Sequence, residues 1–369
     1  MLLLHLFLFL LFAMSGIVFT SCDKDEPVNP IVDPVYNSTG LFVLNEGNQI
    51  NKINGSLSFI DYKTSTIGDG LFAAANKRSL GGTPNDMVEV KGRLYICVTD
   101  ENRVEVVDAV TMQSIAFASV KQPREICASK NGVYVSSYDG TVSFINFDGK
   151  LVKKSEVIGS CLEGITMRNE YVYVCNAYTP GTPSYTYHTN VVKLNANTLK
   201  KETDIAVASN PTKIECNNGN MYVLSSGNYA DVKSQIQVID DKDNVSYLCD
   251  ATMMAVVGDD VYAINSVTDW ATYVTTTEYF LYNGVTKTKK PLLNDNDAKA
   301  IVSPCGIAVD PISKYLFISS YNLGATGFTD YSARGYVVAF TLDGSILKKY
   351  DAGVGPRTMV PFVKVVHSL

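Results

Sequence analysis

A seven-bladed β-propeller, all-β and built of four-stranded antiparallel blades, is the fold this sequence predicts. Three observations carry the prediction. A short unit recurs seven times along the chain. Its apolar positions alternate, with β-branched and aromatic enrichment and no helical period. The two ends of the repeat region are incomplete in complementary ways, so pairing the N- and C-terminal strands would close a ring and leave no open edge.

In chain order, residues 1–21 run from the apolar MLLLHLFLFLLF to small residues before Cys22. The run is short for a membrane span and ends as a cleaved export signal does. It resembles a bacterial lipoprotein signal, which makes Cys22 the expected lipidated first residue. Residues 22–39 open with Asp-Lys-Asp-Glu and carry Pro27, Pro30 and Pro34, the composition of a solvated, semi-extended tether. The acidic start resembles the surface-export tag of Bacteroides-type lipoproteins. The expected propeller covers 40–363 and a tail covers 364–369.

Second strands are read at 41–44, 94–97, 133–136, 171–174, 221–224, 261–264 and 315–318, each followed by a third strand. First strands begin at Pro84, Pro123, Leu162, Pro211, Thr252, Pro304 and Pro356. The spacings of 39, 39, 49, 41, 52 and 52 residues suit propeller blades. The copy at Leu41 lacks a first strand, and the copy at Pro356 is a first strand with nothing after it. Blade 6 is the irregular one: its first strand lacks proline, and residues 271–277 fit either a loop or a strand extension. Seven cysteines besides Cys22 sit mostly within apolar strands with no C-x-x-C pair, so a buried thiol is the default reading.

In such blades the A–B and C–D turns share one face, and the B–C loops and blade junctions share the other. The A–B turns are tight (Lys91-Gly92-Arg93, Lys130-Asn131-Gly132). The B–C segments 45–55, 176–190, 225–234, 265–278 and 319–335 are long, and long loops on a rigid scaffold carry function. They hold Asn48, Tyr178, Tyr185, Tyr187, His188, Tyr229, Trp270, Tyr273, Tyr321, Phe328 and Tyr331, and the short third loop adds Tyr138. Aromatic clusters of this kind either mark recognition surfaces or pack on one another to order the loops. Second strands exit into Asn45, Thr99, Ser136, Asn176, Ser225, Asn265 and Ser319, which radial symmetry would place in a ring at the channel mouth; turn capping is the alternative. Charged groups at the same mouth are Asp86, Arg124, Glu125, Glu163 and Arg357. The arginines either meet a ligand's phosphate or carboxylate or pair with Glu125, Glu163 or Glu46.

The net charge of −6 with mixed signs argues against nucleic acid, which needs a basic face. Catalysis is not expected. Histidine occurs three times, only His188 in a candidate loop, and nucleophile-elbow, zinc and phosphate-loop motifs are missing. No resident cofactor or metal is expected.

The unit from Tyr95 to Asp108 (YICVTDENRVEVVD) resembles the YVTN repeat of surface-layer and YncE-like propellers. The opening LFVLNEGN at 41–48 with GSLSFID at 55–61 resembles the lipoprotein propellers that accompany cobalamin transporters in Bacteroides-type outer membranes. That resemblance implies a cell-surface lipoprotein that captures vitamin B12 or a related corrinoid and hands it to a TonB-dependent transporter. A corrinoid is a broad disc with methyls and amides at its rim and one phosphate. Tyr, Asn, Ser and Thr of the loops, with Arg124 or Arg357 for the phosphate, match that list. His188 is the candidate axial ligand to cobalt, or a loop histidine bonded to a neighbour. A glycan-binding surface propeller, or a scaffold subunit that only caps a transporter, remain alternatives on composition.

Overall fold

The computed structural model describes residues 35–366. The export signal, Cys22 and the tether as far as Pro34 lie outside the described residues. Seven four-stranded antiparallel sheets follow one another, each running from an inner strand A to an outer strand D. The A strands are Pro84–Val90, Pro123–Ala128, Leu162–Arg168, Pro211–Asn217, Met253–Val257, Pro304–Asp310 and Pro356–Val366, in blades 2 to 7 and then blade 1. Neighbouring A strands contact one another around the full circle and wall a central channel.

Closure follows the complementarity of the two ends. The last strand, Pro356–Val366, pairs with the first, Val35–Asn45, from Val35 opposite Val366 to Asn45 opposite Pro356. This pairing takes in residues 35–39 from the stretch read as tether and 364–366 from the stretch read as tail. Phe42 locks the seam: its ring lies 4.8 Å from Phe59 and 5.2 Å from Phe362.

The core is divided as the topology requires. Seven clusters of buried apolar side chains each straddle one interface between neighbouring blades, including the cluster of Leu41, Val43, Phe317 and Val337 that joins blade 7 to blade 1. A B strand is buried on both faces, which is why these strands read as continuous apolar runs. Cys97 and Cys175 are fully buried among them, and all seven cysteines of the described residues are free thiols.

The B–C segments rise on the side where the A strands begin. There they bond to the blade junctions, as Glu46 N–H donates to Gly355 O and Asn210 N–H to His188 O. In blades 4 and 6 the long B–C segments are strand extensions. Tyr171–Thr179 pairs with Thr186–Asn195, and Asp260–Asp269 pairs with Val274–Asn283. In blade 7 the segment folds a small hairpin of its own, Asn322–Leu323 against Thr329–Asp330.

Candidate functional site

The mouth of the channel is shaped by a repeated irregularity. In six blades the pairing of strands A and B slips at the first residues of strand A; blade 6 alone keeps regular register. Five of the six slips begin at a proline, which has no N–H to give the ladder. A bulge leaves the following residue unpaired and re-aims its side chain. The first residues so released are Asn85, Arg124, Glu163, Thr212, Cys305 and Arg357, with Glu125 and Gly164 beside them in blades 3 and 4, and all six of the first line the central cavity, whose volume is about 1000 Å³. Blade 6 starts at Met253 without proline and shows no slip. Gly306 completes the geometry in blade 7, because a Cβ there would sit 2.3 Å from the Arg357 carbonyl oxygen. Only glycine lets the neighbouring strand come so close.

Inside the cavity Arg124 pairs with Glu163 and Lys213 with Glu125, and two further carboxylates, Asp86 and Glu215, are held by backbone N–H groups. The Arg124 guanidinium donates to both carboxylate oxygens of Glu163, at 3.1 and 3.2 Å. It also stacks 4.3 Å over the Tyr138 ring, whose hydroxyl donates to Glu163 at 2.6 Å. Deeper down, Lys213 Nζ lies 3.7 Å from Glu125 Oε2. The Asp86 carboxylate accepts from Ile126 N–H and that of Glu215 from Val256 N–H. Burial raises the proton affinity of all three carboxyls, and Glu125 is pushed up to about 7 against the pull of Lys213. The Lys213 ammonium is held protonated chiefly by Glu125.

Above these charges stands an arc of tyrosines. Tyr138, Tyr178, Tyr185, Tyr187 and Tyr229 come from blades 3, 4 and 5. Successive ring centroids are 6.0, 5.2, 6.5 and 5.8 Å apart. All five line the central cavity. Three of these contacts are edge to face and that of Tyr185 with Tyr187 is tilted, geometries that hold rings in place while leaving faces free. A second cavity of about 670 Å³ opens beside the first, between the B–C loops of blades 1 and 7. Asn48, Tyr321 and Tyr331 line it, and Arg357 lines both cavities.

A family model described as "Domain of unknown function (DUF5074)" matches residues 39–352. The chain belongs to that family. The DUF5074 chain also resembles solved structures in fold. Hydrazine synthase of Kuenenia stuttgartiensis superposes with a TM-score of 0.58 at 16% identity, covering 77% of this chain and 95% of that one. A protein from Lactobacillus plantarum gives 0.56 at 12% identity, covering 88% and 100%. Apo AztD from Citrobacter koseri gives 0.52 at 9% identity, covering 90% and 100%. At such identities the likeness concerns the fold alone. No curated protein matches.

The DUF5074 propeller brings together eleven of the fifteen residues singled out from sequence. Asp86, Arg124, Tyr138, Glu163, Tyr178, Tyr185, Tyr187, Tyr229 and Arg357 line the central cavity, and Asn48 and Tyr321 the second. The other four lie elsewhere. Asn45 is fully buried. Its amide donates to Ser58 Oγ at 2.8 Å and accepts from Gly353 N–H at 2.9 Å, a clasp between blades 1 and 7. His188 lines neither cavity. Strand alternation turns it away from the side of Tyr187, and its Nε2 is bonded to Thr179 Oγ1 at 2.8 Å, so it does not reach a ligand over the channel as a cobalt donor. Trp270 and Tyr273 stand at the tip of the blade 6 hairpin, 74% and 64% exposed, and line neither cavity.

Two wider expectations change as well. The small polar residues that end the B strands do not ring the channel: Thr99 Oγ1 donates to Pro123 O and Ser136 Oγ accepts from Glu125 N–H, bonds that secure the strand A bulges. Arg124 is only 13% exposed and fully engaged by Glu163. Arg357 pairs with Glu46 at 3.1 Å yet stays 54% exposed, which makes it the more accessible of the two arginines. Sequence reading passed over Lys213 and Glu215. Their signal was their place in strand A, two and four residues after Pro211, on the positions that face the channel.

Proposed function

We propose that this chain is a surface-anchored receptor propeller. It captures cobalamin or a related corrinoid at its loop-bearing face, performs no chemistry on it, and passes it to a TonB-dependent outer-membrane transporter. The observation that carries the reading is the arc of five tyrosines over a cavity of about 1000 Å³ in which Arg124 and Lys213 already face carboxylates. A corrin ring offers a broad apolar face edged with amides. Rings held by one another give it contact area at small entropic cost. Asn85, Asn210, Thr212 and Ser226 supply neutral donors and acceptors around the arc. The ligand's single phosphodiester belongs at Arg357, because Arg124 is spent on Glu163 and Tyr138. The expected lipid on Cys22 would hold the mouth near the membrane, within reach of a transporter.

Purified protein is mixed with cyanocobalamin and passed over a desalting column. Red absorbance eluting with the protein at micromolar concentration supports the proposal. Colourless protein overturns it and moves attention to glycans, which also use aromatic platforms with neutral polar rims.

A further inference from the structure

We propose that the second cavity, between the loops of blades 1 and 7, is a separate binding site for a neutral polyhydroxylated ring such as a pyranoside. This inference does not rest on the corrinoid reading. Its walls are built in advance. Asn48 Nδ2 donates to Tyr331 O at 3.0 Å and Asn51 Nδ2 to Ser332 Oγ, so two loops distant in sequence are clasped together. The blade 1 loop is closed on itself by the mutual bonds of Asn48 and Ile53. A cavity braced in this way loses little freedom when a ligand enters.

The aromatic lining is set at one side. Tyr321 and Tyr331 meet edge to face with centroids 5.0 Å apart, and Phe328 packs edge-on to Tyr273 at 6.1 Å. Tyr331 and Phe328 are both more than half exposed, so their faces are open to a ring with apolar C–H groups. The lining also holds the polar side chains of Gln49, Asn51, Thr83 and Ser332.

Charge decides the ligand class. Among the described residues the cavity is lined by two carboxylates, Glu46 and Asp330, and one guanidinium, Arg357. Asp330 is tied down by Ser332 N–H and Ala333 N–H, and Glu46 is held by Arg357. An anion reaching Arg357 meets Glu46 beside it, and a cation reaching Glu46 meets Arg357. With Glu46 on Arg357 and Asp330 on two backbone N–H groups, each of the three charged groups already has a partner. Hydroxyl groups, which donate and accept, can use the carboxylate and the guanidinium together.

Saturation-transfer NMR on the Cys22→Ala chain tests this, using methyl glycosides of glucose, mannose, galactose and N-acetylglucosamine at millimolar concentration. Phenyl phosphate and tyramine serve as charged ring controls. The expected result is transfer to at least one glycoside and to neither control. That transfer should weaken by about tenfold or more in Tyr331→Ala, an exposed side chain whose loss leaves the fold intact, and persist in Tyr187→Ala, which alters the other cavity. Glu46→Gln, by freeing Arg357, should admit phenyl phosphate. The proposal is overturned if no glycoside receives saturation, if only a charged control does, or if transfer survives Tyr331→Ala or vanishes in Tyr187→Ala. None of these outcomes depends on whether cyanocobalamin binds.

Discussion

Replacing Glu125 by glutamine should make the protein more stable at pH 8 and leave it little changed at pH 4. The carboxyl sits in the channel wall with 16% of its side chain exposed, beside Asp86, Glu163 and a single ammonium from Lys213. Burial raises it from 4.5 to about 7. The folded chain therefore takes up a proton more readily than the unfolded chain. Below 4.5 both states are protonated and the site carries no penalty. As pH rises towards 7 the unfolded chain ionises first, and stability falls until the folded carboxyl ionises as well. The gap between 4.5 and about 7 corresponds to at most about 3 kcal/mol. Glutamine has nearly the same shape and stays neutral, so it avoids that loss above pH 7; the attraction to Lys213 is already contained in the shift. For a domain of this size a few kcal/mol moves the thermal midpoint by roughly 5 °C. Differential scanning fluorimetry of both proteins from pH 4 to 9 should show curves that coincide in acid and diverge above neutrality, with the variant higher. A variant less stable than the parent at pH 8 would refute the reasoning. It would mean that the ion pair with Lys213 outweighs the cost of burying the carboxylate.

Other outcomes follow from the same geometry. Tyr187→Ala with Tyr229→Ala should weaken cyanocobalamin retention by about 30-fold, taking 1 kcal/mol per lost ring, whereas Trp270→Ala should leave it unchanged because the hairpin tip lines neither cavity; equilibrium dialysis separates the two. Asn45→Ala strips Gly353 N–H of its buried partner and should cost about 2–3 kcal/mol in urea unfolding. Gly306→Ala places a methyl 2.3 Å from the Arg357 carbonyl oxygen and should lower both the melting temperature and cyanocobalamin affinity, the latter through the displaced guanidinium.

Some of the candidate site could be read from residue order and some could not. The loop-bearing face was legible because turn chemistry is local. Lys91-Gly92-Arg93 can only reverse tightly, while segments such as 176–190 are too long for a turn. The tyrosines of blades 3 to 5 were legible because they crowd those segments. Where each ring points was not. Tyr187 and His188 are neighbours in sequence, and only the pairing of Thr186–Asn195 with Tyr171–Thr179 decides that one faces the cavity and the other Thr179. Trp270 stood among the loop aromatics in the sequence, yet ten paired residues on each side set it at a hairpin tip that lines neither cavity. Arg124 and Arg357 share the motif Pro-Arg and a place after a bulge. Glu163 comes to Arg124 from the next blade, and Glu46 comes to Arg357 from the same blade but from the other end of the chain.

The sequence by itself determined the number of blades, the ring closure by its two terminal fragments, and the face on which the elaborate segments gather. Each depends on a period or a turn that a few adjacent residues specify. Tertiary structure alone decided that the mouth holds two cavities, that Arg357 is the open cation and Arg124 the closed one, and that Glu125 holds its proton up to about 7. The reason is that burial and charge pairing are set by groups brought together from distant parts of the chain, and no local pattern records which strangers a fold will make neighbours.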